Sequence, residues 1–333
     1  MKTYGKNIFR TIRGSLSRFL AIFAIVALGV GFLAGLLVSP MDMRLSADAL
    51  YDETHLYDLR VVSTLGLTEE DVEAVSAVEG VEGLFPAYDT DLVLLSEEGD
   101  SLTARVHSLP EDTSEENVNY LTRPQLLEGR MPEEPGECVI VKTKSLVEGQ
   151  EWVGATLTVE EDEEDEEEDS SPLPQTLTVV GTVRSAAYVS MEPEYTTAGS
   201  GTLEVMLYTL PETFDMDYYT ALYLSVEGAR ELNSSSDQYW DKVEAVQAAL
   251  EDMAPERAQL RYETLVGDAQ KELDDARAEY EEARADTEEE LADAKAQLED
   301  AQKEIDENRQ TLADAKAQLE SGQAQLDSGK TTF

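Results

Sequence analysis

The chain has a single cysteine, Cys138, and two histidines, His55 and His107, in 333 residues. One thiol closes no disulfide within the chain, and it rules out the paired-cysteine spacing of a zinc finger. Cations are scarce too: 25 Lys and Arg stand against 71 Asp and Glu, for a net charge of −46. A nucleic-acid surface needs clustered Lys and Arg to displace phosphate counterions, so that class of partner is excluded. No glycine-rich phosphate loop with a lysine is present, neither histidine accompanies a nucleophile in a recognisable motif, and carboxylates are too many for any pair to stand out. The residues therefore point to no catalytic, cofactor or metal site. Both histidines read as ordinary surface or packed residues, and any use of ATP falls to another protein.

The charge that is missing overall is also unevenly missing. Residues 1–39 hold Lys2, Lys6, Arg10, Arg13 and Arg18 and no acid, which leaves −51 on the rest. Within that stretch FLAIFAIVALGVGFLAGLLV, residues 19–38, has no charge at all. Twenty residues of helix reach about 30 Å, the thickness of a bilayer core. A cleaved signal peptide is the competing reading, but GLLVSPMDM offers a poor cleavage site, with Leu37 and Ser39 at the critical spacing and Pro40 next. A retained anchor is expected, with residues 1–18 as a cytoplasmic basic segment and the bulk of the chain outside the cytoplasm, because positive charge stays inside. Ala27, Gly31 and Gly35 recur every four residues and put small side chains on one helical face, where another membrane helix could pack closely.

From Tyr57 to about Met253 the pattern is of short strands and few helices. LTEEDVEAVSAVEG opens with Thr68 and Asp71 at capping-box spacing, followed by Val72, Val75 and Val78 on one helical face. VEGLFPAY, DLVLLS, LTARVHSL, GECVIV, ATLTV, QTLTVVGTV, GTLEVMLYTL and YTALYLSV are β-rich, and DKVEAVQAALEDM is helical. Without regular strand–helix alternation, the fold class expected is an α+β extracytoplasmic domain, residues 40–255, after one transmembrane helix. Glu160 to Asp169 is a run of ten acids between two TLTV strands. It predicts a hairpin with a disordered, self-repelling loop, residues 160–174; the spacing of a calcium loop is missing.

The tail, 256–333, is expected to be a coiled coil. LADAKAQLE occurs twice, 21 residues apart, and Leu291, Leu298, Ile305, Leu312, Leu319 and Leu326 recur every seven. Ala294, Ala301, Asn308, Ala315 and Gly322 form a second, mostly small row, the a/d seam of a heptad. Upstream, Leu273, Ala276, Tyr280, Ala283 and Thr287 keep the spacing until one extra step of four shifts the phase. The seam predicts one helix from about Val266 to Lys330, about 95 Å long at about 1.5 Å per residue. Such a stripe needs a partner helix, either a second copy or an antiparallel arm of the same protein. Asn308 either fixes register or is merely tolerated there.

Taken together, several segments resemble a known family. RTIRGSLSRFLAIFAIVALGVGFLAGL with SADALYDETHLYDLRVVSTLGLTEEDVEAV is similar to the amino terminus of FtsX-like permeases of ABC transporters, in the subgroup with an extracellular coiled coil. LLEGRMPEEPGECVI, EWVGATLTV, VVGTVRSAAYVSMEPEYTTAGSG and FDMDYYTALYLSVEGA resemble the MacB-type extracytoplasmic core. The likeness spans about residues 8 to 270; Ala186 stands where a proline is expected, and the acidic run is an insertion. The resemblance implies a non-enzymatic permease that pairs with a separate cytoplasmic ATPase and transmits its motion through the cell membrane to the outer domain. It also implies further transmembrane helices, so the chain is expected to be the amino-terminal part of a longer permease, cut within the first arm of its coil. The alternative is a single-pass, membrane-anchored adaptor or scaffold whose coil self-associates.

Overall fold

The computed structural model describes residues 2–143, 151–160, 171–189 and 192–330. The chain divides into two compact units, Met1–Gln259 and Leu260–Phe333.

The first unit begins with helix α1, Lys2–Gly14, and helix α2, Leu16–Thr54, separated by the non-helical Ser15. α2 is, among the described residues, the one helix long and apolar enough to cross a membrane. It does not stop at the end of the apolar run. Pro40 lies inside it, with the Ser39 hydroxyl donating to the Gly35 carbonyl at 2.8 Å, and MDMRLSADALYDET beyond it holds neither glycine nor proline to break the helix. At about 1.5 Å per residue the helix is roughly 58 Å long, nearly twice a bilayer core.

An α+β domain follows, as expected, in two sheets. The smaller joins β1 (Leu59–Leu67), β10 (Tyr219–Val226) and β2 (Val81–Ala87) in the order β1-β10-β2, all antiparallel. Helix α3 (Glu69–Ser76) and the start of helix α4 (Asp237–Lys330) cover one face, where Val75, Val243, Val246 and Leu250 meet Leu84, Leu222 and Leu224. Each fully buried leucine contributes about 1.5–3 kcal/mol. The Asp71 carboxylate takes the Thr68 N–H at 2.9 Å, closing the first turn of α3 as its sequence predicts. The same carboxylate accepts from Arg257 Nε at 2.7 Å, which fixes α3 to α4.

The larger sheet runs β5 (Gln125–Gly129), β8 (Thr176–Arg184), β6 (Glu137–Val141), β9 (Val205–Thr209), β4 (Ser101–Ser108), β3 (Asp89–Leu95), β7 (Thr156–Val159). Because β7 also pairs with β8, six of these strands close on themselves as a barrel, with β5 on the same edge of β8 as β7, farther along the strand. Leu94, Val106, Ile140, Leu157, Leu177 and Leu207 fill it. The two TLTV words are the paired strands β7 and β8, Thr156 opposite Thr178 and Thr158 opposite Thr176. The acidic run between them lies, from residue 161 on, outside the described residues. Cys138 is fully buried in the barrel, and burial pushes its thiol up to about 12.

β5 has no alternating pattern to announce it. Its place depends on a close backbone crossing: a side chain on Gly181 would meet the Arg130 carbonyl oxygen at 2.4 Å, and Gly129 has φ +79°. Arg130 then forks onto Glu137, whose carboxylate also takes the Glu133 N–H at 2.9 Å, so LLEGRMPEEPGECVI is one locally closed turn.

Where the pattern suggests a short helix near residue 241 and a separate one from 266, α4 runs through both. Pro255 lies within it on an exposed face, where the carbonyl deprived of its partner meets water. In the second unit the helix is supported by its own surface pairs, such as Arg284 to Glu288 at 3.0 Å.

Candidate functional site

The end of α2 is held on every side. A helix leaves its last carbonyls unsatisfied, and here the domain supplies the donors: Arg123 N–H to the Thr54 carbonyl and Thr122 N–H to the His55 carbonyl, both at 2.7 Å. His55 and Thr122 are the two non-glycine residues with positive φ among those described, and they face each other across this cap. Arg230 Nη2 donates to the Asp52 carbonyl at 2.7 Å. One turn earlier the Asp48 carboxylate accepts from the Asn233 amide at 2.8 Å and from the Ser234 N–H at 2.6 Å. Glu53 accepts from Gln125 at 3.0 Å, and Gln125 accepts from Arg184, which extends the attachment to β5 and β8.

The next residues continue it. Asp58 takes the Val226 N–H at 2.7 Å and the Tyr239 hydroxyl at 2.6 Å, so one carboxylate joins the chain leaving α2, the end of β10 and the first turn of α4. Burial raises the Asp58 carboxyl, against the hydrogen bonds from Tyr239 and Val226. Burial, with Arg123 and Arg230 nearby, lowers His55 to about 4, which leaves the ring neutral beside the two guanidinium groups. Around this junction lies a cleft of about 1240 Å³, bordered by α2, residues 115–123, the turn after β10 and the start of α4.

A second cluster joins the two sheets. Asp89, at the head of β3, bonds His107 Nδ1 on β4 at 2.6 Å, and His107 Nε2 bonds the Tyr188 hydroxyl. From the small sheet, Tyr223 donates to Asp89 at 2.5 Å and Arg60 at 3.0 Å. One pair along, Arg105 grips Asp91 with two bonds at 2.6 and 2.8 Å and reaches Glu194 at 2.7 Å. Burial raises Asp89, but His107 beside it and the bonds from Tyr223 and Arg60 outweigh it, and the carboxyl lies below its ordinary range. Burial holds the Tyr188 phenol well above 10. A phenol so held stays protonated and serves as a hydrogen-bond partner, so the arrangement fastens one sheet to the other. The space at its centre is about 70 Å³.

The residues singled out in the sequence are placed elsewhere. Ala27, Gly31 and Gly35 lie on the exposed surface of α2, with nothing within 4 Å of a side chain added at either glycine. Leu291, Leu298, Ile305, Leu312, Leu319 and Leu326 all point to solvent, Leu298 and Leu312 at 70% and 74% exposure. Neither row meets a partner among the described residues. His107, read from sequence as an ordinary surface or packed residue, is packed, at the centre of the sheet-joining cluster. The signal for it was present: DTD at 89–91 and RVH at 105–107 have the same alternation, and Asp89 faces His107 and Asp91 faces Arg105 in register. Among the described residues no group of His, Cys, Asp and Glu could hold a metal ion.

No protein-family model and no curated protein matches the chain. Among solved structures it is similar to the extracellular domain of the noncanonic ABC-type transporter YknZ from Gram-positive bacteria, at 13% identity and TM-score 0.31 over 54% of this chain and 80% of that one. It is also similar to the periplasmic region of MacB from Actinobacillus actinomycetemcomitans, at 12% identity and TM-score 0.31 over 58% and 75%. A domain of a putative permease protein from Porphyromonas gingivalis is matched at 14% identity and TM-score 0.28 over 58% and 77%. At these identities and scores the likeness assigns neither fold nor function by itself.

Proposed function

We propose that the chain is a permease subunit of an ABC transporter, or part of one, in which α2 crosses the cell membrane and couples events at its cytoplasmic end to the α+β domain outside. The observation that carries this is the attachment of α2: the helix runs without a linker from its apolar span to Thr54, where Arg123, Thr122, Arg230, Asn233 and Ser234 bond it to the domain. A displacement of such a helix is passed on, because no flexible segment absorbs it. The five cations before the span favour an amino terminus in the cytoplasm. The sequence resemblance to FtsX-like permeases supplies the partners: a cytoplasmic ATPase subunit, and further membrane helices of the same permease or a second copy, packed on Ala27, Gly31 and Gly35. The nature of the chain as a non-enzymatic component belongs to the same reading.

Affinity purification of the tagged chain from its native membrane, followed by mass spectrometry, tests this. An ABC ATPase recovered in stoichiometric amount supports the permease. Recovery of the chain alone, as stable oligomers held by the exposed leucine row of its tail, would instead support the membrane-anchored coiled-coil adaptor.

A further inference from the structure

Helix α1 has two faces. At about 100° per residue, Lys6, Arg10 and Arg13 fall within an arc of about 60°, while Tyr4, Ile8, Phe9 and Ile12 occupy another of about 140°, with Thr3, Asn7 and Thr11 between them. Tyr4, Ile8 and Phe9 are exposed, and among the described residues Lys6, Arg10 and Arg13 form no ion pair. A water-soluble helix of this kind would bury its apolar face against the domain. α1 is instead followed, after Ser15 alone, by the apolar span of α2, so its apolar face is delivered to the edge of the hydrocarbon layer.

We infer that α1 is an in-plane helix that lies on the cytoplasmic leaflet and binds anionic phospholipid headgroups. Its aromatic and aliphatic residues enter the boundary between headgroups and acyl chains, and its cations meet lipid phosphates. The stretch before the span, residues 1–18, holds cations and no acid, so nothing in it opposes the attraction to an anionic leaflet. Each Lys or Arg near such a surface strengthens attachment about fivefold, so three together bias α1 toward its docked state by on the order of a hundredfold. The inference rests on α2 spanning the membrane.

The test uses the whole chain in vesicles of phosphatidylcholine alone or with phosphatidylglycerol. An environment-sensitive fluorophore is placed at Ile8→Cys, at Asn7→Cys or at Ile25→Cys, and read by lipid-borne quenchers; the native Cys138 is buried and does not compete. Expected is strong quenching at position 8 and weak quenching at position 7, greater with phosphatidylglycerol. The K6Q/R10Q/R13Q variant should lose that dependence, with the docked-to-free ratio falling by about a hundredfold in anionic vesicles. Equal quenching at positions 7 and 8, or the same quenching in both vesicles for both proteins, would overturn the inference. Position 25 separates the two claims: quenched there but not at position 8, the span stands and α1 belongs to another partner. Unquenched at position 25, the membrane reading itself falls, and this inference with it.

Discussion

Asp48 and Asn233 are joined by a 2.8 Å hydrogen bond that ties the end of α2 to the turn from which α4 starts. They are 185 residues apart in sequence. The same carboxylate takes the Ser234 N–H at 2.6 Å, so it caps that turn as well as holding it. Replacing Asp48 by Ala removes charge-assisted bonds, each worth about 1.5–3 kcal/mol. Asp48→Ala is expected to lower domain stability by about 3–6 kcal/mol and to speed hydrogen exchange at Ser234. Asn233→Ala should cost less, and a double-mutant cycle should show the two to be coupled. Independent effects in that cycle would mean that the contact carries no strain from helix to domain.

His55 is expected to titrate near pH 4 rather than near the ordinary 6.5, since burial and the Arg123 and Arg230 guanidinium groups oppose its charge. The unfolded chain then binds a proton that the folded chain refuses between those values. Stability from this group is complete above about 6.5, falls with pH, and is lost by about 4. Proton NMR of the ring gives the value, and Arg230→Ala should move it back upward.

Asp89 behaves with the opposite charge but the same direction in pH. Its folded carboxyl is held below the ordinary range by His107, Tyr223 and Arg60 against its burial. Its contribution is therefore present above the unfolded carboxylate value and lost as pH falls through the depressed one. Asp89→Asn should cost about 1–3 kcal/mol at neutral pH, as expected when buried donors lose their charged acceptor, and its stability should depend less on pH in the acid range. Chemical denaturation across pH provides both.

Ala186 occupies the first position of a short 3-10 turn, Ala186–Tyr188, after Ser185 in extended conformation at φ −123°, ψ 137°. That is the conformation required of a residue before proline. Ala186→Pro should leave the fold intact and raise stability by about 0.5–1 kcal/mol. Thermal denaturation measures the gain.

Much of this architecture is legible in the sequence because periodicity survives context. The apolar helix α2, the β-rich stretches that become β3, β4 and β10, and the Thr68 to Asp71 cap all follow from local pattern and reappear in place. What escapes is contact between distant segments. β5 is a strand because Gly129 and Gly181 let two backbones cross closely, a fact that neither segment states alone. The sheet-joining cluster was half visible in DTD and RVH; its other half, Arg60 and Tyr223, comes from strands whose pairing no local rule predicts. The junction at the end of α2 was hidden for the same reason. Its donors, Arg123, Arg230 and Ser234, reach it from loops whose composition is ordinary.

The most direct test of the account is whether α2 and the α+β domain move as one body. Met43 on α2 and Leu127 on β5 are both exposed and suit spin labels in the full chain in lipid nanodiscs. Double electron–electron resonance between them should give one narrow distance distribution, broadened when Asp48 and Arg230 are both replaced by alanine. A broad or multiple distribution in the unaltered protein would contradict the account, since a helix free to swivel at Thr54 cannot drive the domain it enters.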